Sequence, residues 1–181
     1  MRDVKVMLLR GVNVGGANRL PMPEFRQMLT ELGLTDVQTH IQSGNVVFHD
    51  TGLADIGGLI TAGMKDRFGF APMMFFMTLA EFDAVIAANP YAEAARANGA
   101  LVHIFFLDAG FAAADVAALT ALAARDEAVT FTRAAVYLNA PSGIGRSVLA
   151  DKLTTTTKVN LTARNVNSAL AIAALARTLP Q

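Results

Sequence analysis

The chain begins with an apolar run from Val4 to Leu9, interrupted only by Lys5, which predicts a strand covered on both faces. After a polar, glycine-bearing stretch, Phe25, Met28, Leu29 and Leu32 recur at the i, i+3, i+4, i+7 spacing of an amphipathic helix. Pro23, with its φ fixed near the helical value, suits the start of that helix, and Gly33 closes it. The stretch "DVQTHIQSGNVVFHD" predicts two short strands joined at Ser43-Gly44. Pairing about that turn sends Val37, Thr39, Ile41, Val46 and Phe48 to the core. Gln38, His40, Gln42, Asn45 and His49 then share the opposite face with Val47. A second helix is expected over 53–68 through Ile56, Ile60 and Met64. Gly57, Gly58 and Gly63 weaken it by about 1 kcal/mol each relative to alanine, which points to close packing or to an irregular helix. "APMMFFM" predicts a strand with both faces apolar, and Thr78 to Glu81 ("TLAE") forms a capping box for a helix ending at Asn89-Pro90.

The second half repeats this order. "ALVHIFFL" predicts a buried strand, Val116, Leu119 and Leu122 mark a helix, and "AVTFTR" and "AVYLN" predict two more strands. A short helix near Ser147 to Leu153, a brief edge strand at "KVNLT" and a final helix over 165–178 follow. The halves align in pattern at offsets of roughly 86–98 residues. The expected fold is therefore α+β, with two tandem ferredoxin-like (βαββαβ) units packed together, each followed by an extra helix. The units are placed at 1–92 and 93–181, divided near "NPYAEAARANG"; a single interleaved sheet is the alternative. Met7, Leu9, Met74 and Phe76 are expected on the sheet face the helices miss, to be covered by the second unit or by a second chain. The last helix, with Val166, Leu170 and Ala173 on one side and Ile172, Leu175 and Leu179 on another, reads as apolar nearly all round.

Composition narrows the functional classes. At 181 residues, with 53% hydrophobic residues and a mean hydropathy of +0.40, the chain predicts a tight core, a buried internal face or a homodimer contact. No run approaches the ~18 uninterrupted apolar residues of a membrane span, and the four consecutive apolar residues of the N-terminal stretch are too few for a signal-peptide core. Zero cysteines remove disulfides, thiolate catalysis and zinc–sulfur sites, and a cytoplasmic location is the default expectation. Net charge is zero, which disfavours an indiscriminate polyanion binder. The charge is unevenly placed: residues 1–26 carry five basic and two acidic side chains (+3), 27–132 four and twelve (−8), and 133–181 six and one (+5). If the two ends meet, they make one positive patch.

Four ordered stretches carry a family resemblance: "LLRGVNVGG" (8–16), "IQSGNVVF" (41–48), "GIGRS" (143–147) and "TARNVN" (162–167). "NPY" at 89–91 adds to them. Together the chain resembles the bacterial family catalogued as domain of unknown function 1697, over nearly its whole length. The resemblance implies tandem ferredoxin-like units and implies no activity. Two departures stand out. Val166 occupies the place where the family usually has a tryptophan, and Val148 the place where it often has a basic residue.

The candidate chemistry sits in the loops. In "RGVNVGGANR", Gly11, Gly15 and Gly16 permit left-handed backbone and close approach of a ligand, and Asn13 adds a polar side chain. A loop feeding a helix start offers unpaired N–H groups to a phosphate or carboxylate, with Arg10 and Arg19 as bidentate partners. The stretch matches neither the P-loop nor the dinucleotide-binding glycine pattern. Its bland reading is a wide turn whose asparagines bond their own backbone. "PSGIGRSVL" repeats the logic with Arg146 and Ser147, although Ser147 is also a natural helix cap. Arg164 and Asn165 open the last helix in the same way. Gln42, Ser43 and Asn45 complete the expected ligand-binding set, with Ser43 also a turn former. His40 and His49 are candidate acid–base groups, His103 reads as a satisfied core residue, and no metal site and no cofactor are expected.

Three functions compete: binding of a small anionic ligand between the two units, possession of an interaction or dimerisation face without a ligand site, and nucleic-acid binding. The first requires Arg10, Arg146 and Arg164 to converge with Gln42 or Asn45. Absence of tryptophan, only two tyrosines and neutral charge disfavour nucleic acid. Ligand identity, catalysis and oligomeric state are not encoded in any motif.

Overall fold

The computed structural model of the chain describes residues 3–16, 18–155 and 157–180. Among the described residues the fold is α+β, with two four-stranded antiparallel sheets and seven α-helices. Two separate sheets exclude the interleaved alternative. The chain divides into one unit of residues 1–83 with 171–181 and another of residues 84–170.

In the first unit the order is β1 (Val4–Leu9), α1 (Met22–Glu31), β2 (Thr35–His40), β3 (Asn45–His49), α2 (Ile56–Phe68) and β4 (Met74–Thr78). The sheet runs β2-β3-β1-β4, so the apolar β1 lies inside it. One core gathers Met7, Leu9, Val46 and Phe48 from the sheet with Phe25, Met28 and Leu29 of α1 and Ile60 and Met64 of α2. A Cβ on Gly63 would stand 3.2 Å from the Met28 sulfur, so this glycine serves close packing within a helix that is regular over 13 residues.

Three expectations fail here. Met7, Leu9 and Met74 belong to the helix-covered core, and Phe76 lies beside Gly57 of α2. In the alternating register of β1 and β3 the opposite face carries Val6, Leu8 and Val47, each fully buried. The supposed polar row is not a solvated one, because Asn45 and His49 are buried too. Ile41 is 53% exposed rather than in the core. Strand β2 stops at His40, and a left-handed Ile41 (φ 50°) breaks the alternation that would have turned it inward.

The Thr78–Glu81 capping box forms as expected: the Glu81 carboxylate accepts from the Thr78 amide (2.8 Å), and the Thr78 hydroxyl accepts from the Glu81 amide (3.1 Å). It starts α3 (Leu79–Ala87), and the "AEAARAN" stretch, near which the two halves were expected to divide, is itself a helix, α4 (Ala92–Asn98). Its alanine, glutamate and arginine are strong helix formers.

The second unit continues with β5 (Val102–Leu107), α5 (Ala113–Thr120), β6 (Ala128–Phe131), β7 (Ala135–Asn139), α6 (Val148–Thr155) and β8 (Leu161–Asn165), and the sheet runs β6-β7-β5-β8. Phe105, Leu119, Val136, Leu138, Leu149, Leu153 and Leu161 form its core. β8 is an edge strand but starts at Leu161 rather than Lys158. Asn160, held by the Asp108 carboxylate at 2.6 and 3.1 Å, sets where pairing with β5 begins. Leu122 falls beyond α5 and is 38% exposed. On the last helix, α7 (Val166–Arg177), Leu170 is exposed while Ala169, Ile172, Ala173 and Ala176 are buried, so the helix is not buried all round. His103 is buried in the core as expected, but among the described residues its Nδ1 has no hydrogen-bond partner.

Candidate functional site

The loop after β1 is held from within by its asparagines. The Asn13 amide nitrogen Nδ2 donates to the carbonyls of Leu20 (3.0 Å) and Gln42 (2.7 Å), while its Oδ1 accepts from the Leu20 amide (2.8 Å). Asn18 Nδ2 donates to the Gly11 carbonyl (3.1 Å), and the Asn13 amide to the Asn18 carbonyl (3.1 Å). The ends are fixed as well: the Arg10 amide donates to the Met73 carbonyl (2.9 Å) and the Leu9 amide to Gly44 (2.8 Å). The bland reading of the asparagines is thus correct for their side chains, whose bonds shape the loop.

The β2–β3 turn docks on this loop. Gly44 is buried with φ 72°, and a Cβ there would fall 2.6 Å from Val12 and 2.7 Å from Leu9, so only glycine fits. Asn45 closes the turn by donating to the His40 carbonyl and to the Ser43 hydroxyl, both at 3.0 Å. Gln42 meets Asn13 through its backbone and leaves an exposed side chain. Of thirteen positive-φ residues among those described, seven lie in these two segments: Gly11, Asn13, Gly15, Gly16, Asn18, Ile41 and Gly44. Asparagine and glycine tolerate that region, but a β-branched isoleucine there is a true outlier. Nothing in a single sequence marks Ile41 for this conformation.

Residues 4–23 contain Lys5, Arg10 and Arg19 with no carboxylate, and residues 37–49 contain no carboxylate either; Lys5 pairs with Asp50 at 3.5 Å. Arg19, Gly15 and Gly16 are exposed and Arg10 is half-buried. His49 lies away from water, with Nδ1 2.8 Å from the Asp36 carboxylate, and His40 is half-buried. Among the described residues no group of three or more His, Cys, Asp or Glu is placed to hold a metal ion.

The remaining candidates belong to the second unit. Arg146 is exposed in a single 3-10 turn (Ile144–Arg146), and Ser147 caps α6, accepting from the Ala150 amide at 3.0 Å. Gly145, Ser147, Asp151 and Ala163 help line a cavity of about 270 Å³ there. Arg164 is buried in β8, where Nη1 donates to the Thr162 hydroxyl (3.0 Å) and the Ala163 carbonyl (2.7 Å). Burial lowers its pKa to about 10, so the guanidinium is still charged at neutral pH. Asn165 caps α7, accepting from the Ser168 amide at 2.8 Å. "NPY" is a turn in which Asn89 accepts from the Tyr91 amide (3.0 Å) and the Tyr91 hydroxyl meets Thr130 (2.9 Å). The structure therefore joins Asn13, Gln42, Ser43, Gly44 and Asn45 within the first unit, and groups Arg146 with Ser147 and Arg164 with Asn165 in the second.

Residues 3–137, which include both the glycine loop and the docked turn, match the family described as "Protein of unknown function (DUF1697)". The chain belongs to this family. Its fold is similar to that of the conserved bacterial protein SP0830 from Streptococcus pneumoniae, with a TM-score of 0.75 and 24% sequence identity over 97% of this chain and 99% of that one. No curated protein matches the chain. Of the two departures from the family pattern, Val166 is buried at the start of α7 and Val148 is 57% exposed at the start of α6. No helix among the described residues is long and apolar enough to cross a membrane.

Proposed function

We propose that this member of the family binds a small anionic ligand, phosphorylated or carboxylate-bearing, with the glycine loop and the docked turn as the centre of its site. The observation that carries the reading is the concentration of left-handed backbone in those two segments, including Ile41. A connection between a strand and a helix needs no such conformation, and strain of this kind gathers where a fixed geometry is used. Arg10 and Arg19 flank the glycines and supply the charge, and the exposed Gln42 side chain supplies an amide. Arg146, Ser147, Arg164 and Asn165, expected in the same ligand-binding set, lie in the second unit, and the proposal rests on the first unit alone. Each unit is read, within this proposal, as ferredoxin-like, since each has the β-α-β-β-α-β order with strands two and three side by side and strands one and four paired.

The test is a thermal-shift screen of the wild type and an Arg10→Gln, Arg19→Gln double variant against phosphate, nucleotides, sugar phosphates and carboxylates. A ligand at 100 times its dissociation constant adds about 2.7 kcal/mol, or roughly 5–10 °C for a chain this size. A shift with one class that disappears in the double variant supports the site. Equal melting of both proteins under every compound refutes it.

One observation favours a second reading, an interaction face. Val14 and Ile41 are 65% and 53% exposed on these same two segments. If they form a contact between copies, sedimentation velocity shows a concentration-dependent dimer that a Val14→Ser, Ile41→Asn variant loses.

A further inference from the structure

A cavity of the second unit opens between α5, α6 and residues 157–159. Phe111, Leu119, Leu122 and Val159 supply its apolar walls, Lys152 and Lys158 its basic groups, and its volume is about 430 Å³. That is within the roughly 300–1,000 Å³ of small-molecule sites.

The cavity follows from the sequence of α5. Its "AADVAALT" face buries only Leu119, and Ala118 stands on the cavity wall where a larger side chain would close it. Phe111 is locked edge-to-face on Phe131, ring centroids 5.6 Å apart, so this wall is a fixed surface continuous with the core. Leu122 leaves apolar area open to water beside it. A ligand body covering Phe111, Leu119 and Leu122 would gain by removing that area from solvent. The polar lining is biased, since two lysines oppose one carboxylate, Asp115. Asp115 sits in the first turn of α5, where the helix dipole already favours a negative charge. A ligand meeting this lining is therefore matched by an apolar body with one anionic head.

We infer that the cavity between α5, α6 and residues 157–159 binds a small amphipathic monocarboxylate, its hydrocarbon or aromatic body on Phe111, Leu119 and Leu122 and its carboxylate toward Lys152 and Lys158. This is independent of the glycine-loop site, which lies in the other unit.

The probes are 4-phenylbutyrate, 4-phenylbutanol and 4-phenylbutylamine, which share one apolar body and differ in head charge. Amide chemical shifts of the full chain are followed during titration. The acid is expected to shift Phe111, Ala118, Leu122 and Val159 saturably, and to bind about fivefold tighter than the alcohol, the scale of a partly exposed ion pair. Lys152→Gln with Lys158→Gln should reduce the acid to the affinity of the alcohol and leave the alcohol's own affinity unchanged. Ala118→Leu should block all three probes. Equal affinity for the three heads, shifts centred elsewhere, or no saturable shift in the wild type would each overturn the inference.

Discussion

A single carboxamide, that of Asn13, uses both its donors and its acceptor to tie the end of the glycine loop at Leu20 to the hairpin turn at Gln42. Asn13→Ala removes the partner of the part-buried Leu20 amide and carbonyl and of the exposed Gln42 carbonyl, and is expected to destabilise the chain by about 2 kcal/mol, measured by denaturant unfolding. Ile41 makes the opposite contribution. Its left-handed backbone is strained, and its exposed side chain gains little from packing. Ile41→Asn should therefore stabilise the fold by about 1 kcal/mol, since asparagine tolerates that region. A loss of stability instead would mean that the isoleucine side chain is itself held in a contact. His103 links the fold to pH. Burial pushes its pKa below the ordinary 6.5, with the Leu101 carbonyl partly opposing the shift. The folded chain thus binds this proton less readily than the unfolded chain. The contribution is complete above pH 6.5 and is lost as the pH falls below it toward the lowered folded value. In paired melts from pH 7 to 5, wild type should lose more stability than His103→Gln; identical slopes would contradict this.

Elements in this chain are delimited by side chains that work at their ends. Ser147 for α6 and the Thr78–Glu81 box for α3 satisfy amides that the first helical turn leaves open. Ser147→Ala and Thr78→Ala should each cost about 1 kcal/mol in a denaturant titration. If Ser147→Ala leaves stability unchanged, the hydroxyl has a task other than capping. Such ends were legible in the sequence because the signals are local: serine before an apolar run, or threonine three residues before glutamate. Strand β8 and helix α4 were not. β8 begins where Asp108, 52 residues away, takes hold of Asn160, and no local window contains that bond. For α4, the sequence pattern gives only the division of the two halves near this stretch, since the breakers Asn89-Pro90 before it and Asn98-Gly99 after it mask the helix propensity of the seven residues between.

At the scale of the molecule, the repeated element order and the apolar runs of β1 and β5 make the α+β architecture readable, while the faces do not follow as simply. Both faces of β1 are apolar, so periodicity could not tell Met7 and Leu9 from Val6 and Leu8, and only the packing of α1 and α2 separates them. The candidate site was half legible. Glycines and asparagines announced the loop at 10–20, whereas the docking of Gly44 under it and the strain at Ile41 depend on contacts about thirty residues apart. Of the six basic residues in 133–181, Arg177 groups with the first unit, where the Asp83 carboxylate accepts from it at 2.7 Å. The charge assigned to the glycine loop is that of Arg10 and Arg19, which flank it in the sequence.

That local charge on a fixed loop is the central claim, and amide chemical shifts of the full chain titrated with inorganic phosphate, and separately with acetate, test it most directly. Saturable shifts are expected with at least one anion, confined to Gly11, Gly15, Gly16, Gln42 and their neighbours and abolished by Arg10→Gln with Arg19→Gln. Unmoved glycine-loop amides at concentrations that perturb residues elsewhere, or shifts that persist in the double variant, would contradict it.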